Sequence, residues 1–95
     1  MVNREELKRL LADTVPRIDW NTDRPLMEDG LLDSLDVLMI VSRLYGEFQV
    51  EIPSTELTAA NFNSVESIQN LCRKCKDAAG EKRSRIFKIK GEERR

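Results

Sequence analysis

A small all-α bundle is the fold this 95-residue chain predicts, on three grounds. Apolar residues recur at helical spacing in separate stretches of the chain. Capping residues and Pro or Gly punctuate those stretches. The apolar content of 40% in a chain of 11.0 kDa is enough for one compact helical core, with no room for a second. The expected order is helix, long loop, helix, short helix, helix.

The first helix opens at Asn3, which with Glu6 fits a capping box, while Val2 and Leu7 fit the hydrophobic staple around it. Leu7, Leu10 and Leu11 supply its apolar face, Arg4, Lys8 and Arg9 its polar one, and Pro16 closes it near residue 14 or 15. Residues 16–33 carry Pro16, Pro25 and Gly30 among Asp, Asn and Thr, which is loop composition. A loop of that length is unusual in a compact domain and tends to be functional. Ile18, Trp20, Leu26, Met27, Leu31 and Leu32 are spread through it, so it is expected to be pinned to the core.

A second helix is predicted from Ser34 to Glu47. Leu35, Leu38, Val41 and Tyr45 form one apolar stripe, and Val37, Ile40, Leu44 and Phe48 form another. A helix apolar on nearly every side is either central to the fold or offers an apolar face to a partner. Asp33 and Asp36 place negative charge at its start, where the helix dipole favours it. Glu51-Ile52-Pro53 reads as an extended connection, after which Ser54 can cap a short helix containing Leu57 and extending toward Ala59 and Ala60. The final helix opens at Asn63 with Glu66, or with Ser64 as its cap, and carries Val65, Ile68, Leu71, Cys72 and Cys75 on one face. Gly80 is a natural terminator. The expected division is therefore a helical domain over 1–80 and a basic, flexible tail over 81–95, with docking of Ile86-Phe87-Lys88-Ile89 as the alternative for the tail.

Composition excludes several function classes. The chain has no histidine, so Ser-His-Asp and Cys-His catalysis and nearly all zinc-hydrolase designs are out. No stretch reaches the ~20 apolar residues of a membrane span, and the first residues lack the apolar core of a secretory signal. The net charge of −1 hides a division: residues 1–80 hold 14 acids against 9 bases, residues 81–95 hold 3 against 7. The basic tail raises nucleic-acid or anionic-membrane binding, but its small excess and single aromatic, Phe87, favour a solvated extension. Cys72-Arg73-Lys74-Cys75 is no redox motif, because it falls late in a helix rather than at a helix N-terminus, and zinc would need two further ligands. Two small apolar residues on a core face are the better account, and reduced thiols fit the cytoplasm.

The most informative segment is Gly30-Leu31-Leu32-Asp33-Ser34-Leu35, where a serine hydroxyl stands at the junction of a long loop and an apolar helix. Taken alone, Asp33 or Ser34 is a helix N-cap. The wider pattern resembles the acyl carrier protein family: Asp33-Ser34-Leu35 at the helix start, Gly30-Leu31-Leu32 before it, Phe48 at the helix end, Glu51-Ile52-Pro53 beyond, and Val65 to Ile68 opening the last helix. The likeness covers about residues 3–79. It implies a small four-helix bundle of acyl-carrier type, with 4′-phosphopantetheine from coenzyme A attached at Ser34 and Asp33 and Leu35 as motif neighbours. By the same resemblance Leu35, Leu38 and Met39 lie on the face that partners read, and Asp36 and Phe62 are expected to join Leu38 and Met39 in binding them, although periodicity alone leaves Leu38 on the boundary of the core.

The implied protein is a non-catalytic carrier, expected to be monomeric, holding acyl cargo as a thioester. Its implied partners are a phosphopantetheinyl transferase, which supplies the base and Mg²⁺, an acyl- or aminoacyl-loading ligase, and downstream acyl-transferring or condensing enzymes. Nucleic acid is not among them. Met39, Arg43, Tyr45 and Gly46 stand where fatty-acid carriers often have acids, which weakens electrostatic steering and puts fatty-acid synthesis in doubt. Glu56-Leu57 and Phe62 look closer to D-alanyl carrier proteins, and Val41-Ser42-Arg43-Leu44 is similar to peptidyl carrier domains. An aminoacyl carrier is therefore the alternative within the class. A helical interaction module without a prosthetic group is the alternative outside it.

Overall fold

In a computed structural model that describes residues 2–76, the chain is all-helical, with no strand among the described residues. Helix α1 spans Arg4–Thr14 and α2 spans Ser34–Phe48. A third helix, α3, begins at residue 65 and runs through 76. Gly80 and the basic segment 81–95 lie outside the described residues.

Local chemistry accounts for the helix ends. Asn3 Oδ1 accepts from the Glu5 and Glu6 amides at 2.7 and 3.4 Å, satisfying two first-turn donors that lack helical partners. At the other end of α1 the Val15 amide donates to Leu11 O at 2.9 Å, and Pro16 prevents another turn. α2 ends where Gln49 turns left-handed (φ 56°), returning its amide to Leu44 O and Tyr45 O. Lys76 Nζ also donates to Phe48 O at 2.7 Å. Ser64, rather than Asn63, caps α3: its hydroxyl accepts from the Ser67 amide at 3.0 Å.

The core is one cluster drawn from every element. Leu7, Leu10 and Leu11 of α1 meet Val37, Ile40 and Leu44 of α2 and Val65, Ile68, Leu71, Cys72 and Cys75 of α3. Of the two stripes on α2, the one through Val37, Ile40 and Leu44 is buried, whereas Leu35, Leu38 and Tyr45 face solvent and Val41 packs on the core edge. The long loop is pinned as its apolar residues predict. Trp20, Leu26 and Leu32 are buried, and Ile18, Met27 and Leu31 pack against the cluster. Trp20 Nε1 finds an acceptor in Val15 O at 3.1 Å, so its indole is buried without losing a hydrogen bond.

The expected short helix does not form as one piece. Two 3₁₀ turns, Ser54–Glu56 and Ala60–Phe62, take its place, and Ser54 makes no side-chain cap. The reason lies at the Glu56 carbonyl, which accepts from the Thr58 amide at 2.9 Å and from Asn61 Nδ2 at 2.8 Å. The acceptor that a continuous helix would use is thus taken by the Thr58 amide and the Asn61 side chain. A Glu56–Lys74 ion pair at 3.1 Å ties this segment to α3.

Candidate functional site

The loop from residue 15 to 33 delivers the chain into α2 through two devices. The first is the turn over Pro25–Gly30. The Asp29 amide donates to Pro25 O at 2.9 Å, Gly30 adopts a φ of +76° that side chains rarely tolerate, and the Leu31 and Leu32 amides both return to Leu26 O. The second is Asn63, which reaches across from the start of α3. Its Oδ1 accepts from the Met27 and Glu28 amides at 2.9 and 3.1 Å, its Nδ2 donates to Glu28 Oε2 at 3.1 Å, and its carbonyl accepts from the Leu26 amide at 2.9 Å. A loop that long is held by side chains because it has no ladder of its own.

At the loop's end Asp33 is the N-cap of α2 in a reciprocal capping box. Asp33 Oδ1 accepts from the Asp36 amide at 2.9 Å, and Asp36 Oδ2 accepts from the Asp33 amide at 3.1 Å. Because Asp33 takes the cap, Ser34 is left as the first helical residue, exposed, with a side chain that makes no hydrogen bond among the described residues. The Ser34 and Leu35 amides likewise have no acceptor there, so two backbone donors point outward beside the hydroxyl at the positive end of the helix dipole.

Leu35, Leu38 and Met39 surround that position, with exposures of 65, 54 and 40%. The boundary position Leu38 is thus on the surface. Two residues expected on the partner surface are not there. Phe62 is fully buried at 0% exposure, filling the core where the second 3₁₀ turn meets α3. Asp36 is 4% exposed and turns inward to pair with Arg17. The exposed face beside Ser34 is correspondingly more apolar than the sequence pattern implies.

Arg17 is the site residue that the sequence left unmarked. Its Nη1 donates to Asp36 Oδ1 at 3.2 Å, and its Nη2 donates to Asp36 Oδ2 at 2.5 Å and to Leu31 O at 3.2 Å. These hydrogen bonds hold the Asp36 carboxyl below its ordinary 3.8. Burial pushes the other way, and the Asp33 amide adds to the lowering. Nineteen residues separate Arg17 from its partner, so no local periodicity could have joined them. On α3, burial pushes the Cys72 thiol up to about 12, with the neighbouring Cys75 adding to it.

A partner-free hydroxyl at a fixed helix start, with open amides beside it and an apolar rim, is suited to carrying a covalently attached anionic group. Among the described residues, no cluster of acids and cysteines could hold a metal ion, and no helix is long and apolar enough to cross a membrane.

Comparison with known proteins defines the class. The family described as "Phosphopantetheine attachment site" matches residues 4–73, and the chain belongs to it, as a phosphopantetheine-binding carrier protein. Its cofactor is covalent 4′-phosphopantetheine.

The relatives are more particular. The chain is 31% identical over 55 residues to the D-alanyl carrier protein of Lactococcus lactis subsp. lactis (strain IL1403), covering 58% of this chain and 70% of the relative. It is 33% identical over 46 residues to the D-alanyl carrier protein of Lactococcus lactis subsp. cremoris (strain MG1363), covering 48% of this chain and 58% of that relative. The chain thus spans less than two thirds of the second relative's length.

Proposed function

We propose that this protein is an aminoacyl carrier in which the Ser34 hydroxyl is the point of attachment and an adenylating ligase supplies the cargo. The observation that carries the reading is the Ser34 side chain, exposed and without a hydrogen-bond partner among the described residues at the first position of α2. The similarity to D-alanyl carrier proteins supports an aminoacyl cargo over a fatty-acyl one. The exposed stripe of Leu35, Leu38 and Met39, with Asp36 withdrawn into an ion pair, supports recognition by apolar contact more than by charge steering.

In the attachment step Ser34 Oγ forms a bond to phosphorus as the pyrophosphate linkage of coenzyme A breaks. Adenosine bisphosphate leaves, and the serine proton passes to a base on the transferase. The chain's own contribution is positional. Asp33 fixes the helix start and leaves Ser34 free, and the Ser34 and Leu35 amides would be available to hold an attached phosphodiester. Once attached, the arm supplies a terminal thiol that holds cargo as a thioester. No general base stands at Ser34 within the capping box, where both carboxylates are engaged by amides and Arg17. On this reading the carrier is a substrate of its partner enzymes.

The test compares intact masses after incubation with coenzyme A and a broad-specificity phosphopantetheinyl transferase. The natural chain should gain one phosphopantetheine unit, and Ser34→Ala none. The holo form is then offered D-alanine with an adenylating ligase and, in parallel, a fatty acid with an acyl ligase. Loading by the fatty-acid ligase alone would overturn the cargo assignment while leaving the attachment site intact.

A further inference from the structure

We propose that Arg17 is a positioning residue for the attachment serine: its guanidinium clamps the end of the loop to the first turn of α2 and so fixes the presentation of Ser34. This role rests on the reading of Ser34 as the attachment site and adds a residue that acts on it through Asp36.

Asp36 is the one buried charged residue among the described residues, and it lies two positions after Ser34. Its carboxylate takes both terminal nitrogens of Arg17, one on each oxygen, and keeps the Asp33 amide on Oδ2. The same Arg17 Nη2 donates to the carbonyl of Leu31, three positions before Ser34. One rigid planar group therefore touches the chain on both sides of the serine. The fork is anchored from the start of the loop, next to Pro16, so it closes the whole of residues 17–31 onto the helix start.

Removing the fork leaves the buried Asp36 carboxylate with the Asp33 amide and takes a donor from Leu31 O. A carboxylate so placed gains by turning to water. When it turns, the half of the capping box that Asp36 supplies opens, and residues 33–36 sample more conformations. The side-chain cross-links further along α2, Arg43 to Asp13 and Thr14 of α1 and Lys76 to Phe48 O, lie beyond the first turn and do not restrain it. A transferase that binds the clamped conformation then meets a smaller competent fraction. That raises its apparent KM for the carrier and leaves turnover of the bound complex unchanged. Lysine keeps the charge but supplies a single point donor in place of a fork, so it restores the clamp only in part.

The experiment measures steady-state phosphopantetheine transfer to the full chain, Arg17→Ala, Arg17→Lys and Arg17→Ala with Asp36→Asn. Fluorescence of the single Trp20 confirms folding of each. Arg17→Ala should raise KM roughly five- to tenfold with kcat within about twofold. Arg17→Lys should fall between it and the natural chain, and the double variant should be no worse than the single one, because both remove the same clamp. Low-millimolar guanidinium should lower the KM of Arg17→Ala. A folded Arg17→Ala chain with unchanged KM, or a loss confined to kcat, overturns the proposal. Should Arg17→Ala fail to fold, Arg17→Lys carries the test in the same direction at smaller size. Failure of the Ser34 reading is separate and visible beforehand, as absence of mass gain in the natural chain or its persistence in Ser34→Ala.

Discussion

A carrier that holds cargo as a thioester must keep its own thiols from attacking it, and the placement of the two cysteines makes this measurable. Cys72 is fully buried at 0% exposure on the core face of α3, and burial raises its thiol from an ordinary 9.0 to about 12. A rise of that size lowers the thiolate fraction at neutral pH about a thousandfold. A more basic thiolate is a better nucleophile, which with a Brønsted slope of about 0.45 returns roughly twentyfold. Ionisation alone therefore slows the thiol roughly fortyfold, and burial removes access on top of that. The apo chain in native buffer should show no fast reaction with a disulfide reagent such as dithionitrobenzoate. The holo chain should show one fast equivalent, from the arm, and unfolding in guanidinium should expose two more in either form. Fast labelling of the native apo chain at the rate of free cysteine would refute the burial argument and, with it, the idea that the core protects the cargo.

Three other outcomes follow from named contacts. Phe62→Ala should cost about 3–5 kcal/mol, read from chemical denaturation followed by Trp20 fluorescence, because it empties the volume of a fully buried ring. Leu38→Asp should leave stability within about 0.5 kcal/mol while weakening binding to the loading ligase, since Leu38 is exposed beside Ser34, the proposed attachment position. Acid should weaken the fold through Asp36. Its folded carboxyl lies below its ordinary 3.8, so its stabilising contribution is complete above that value and lost as pH falls through the lowered one. Denaturation midpoints of the natural chain and Asp36→Asn should therefore converge below about pH 4, and a constant gap down to about pH 2 would contradict the assignment.

The three main helices, the pinned character of the loop and the serine at the head of α2 were all legible in the order of residues. They follow from short-range chemistry, namely caps, proline stops and apolar spacing within a few residues of one another. Packing settled what depends on neighbours distant in the chain. Asp36 carries the pattern of an exposed first-turn acid, yet it turns inward because Arg17, nineteen residues earlier, comes within hydrogen-bonding reach. Phe62 reads as a surface aromatic in a connecting segment, yet it is fully buried in the core cluster. Asn63 and Ser64 both read as caps, but the loop amides of Met27 and Glu28 claim the Asn63 side chain and leave the cap to Ser64. Helical periodicity names the residues that share a face; only the packed chain decides which face meets water, because burial depends on what the rest of the molecule places opposite it.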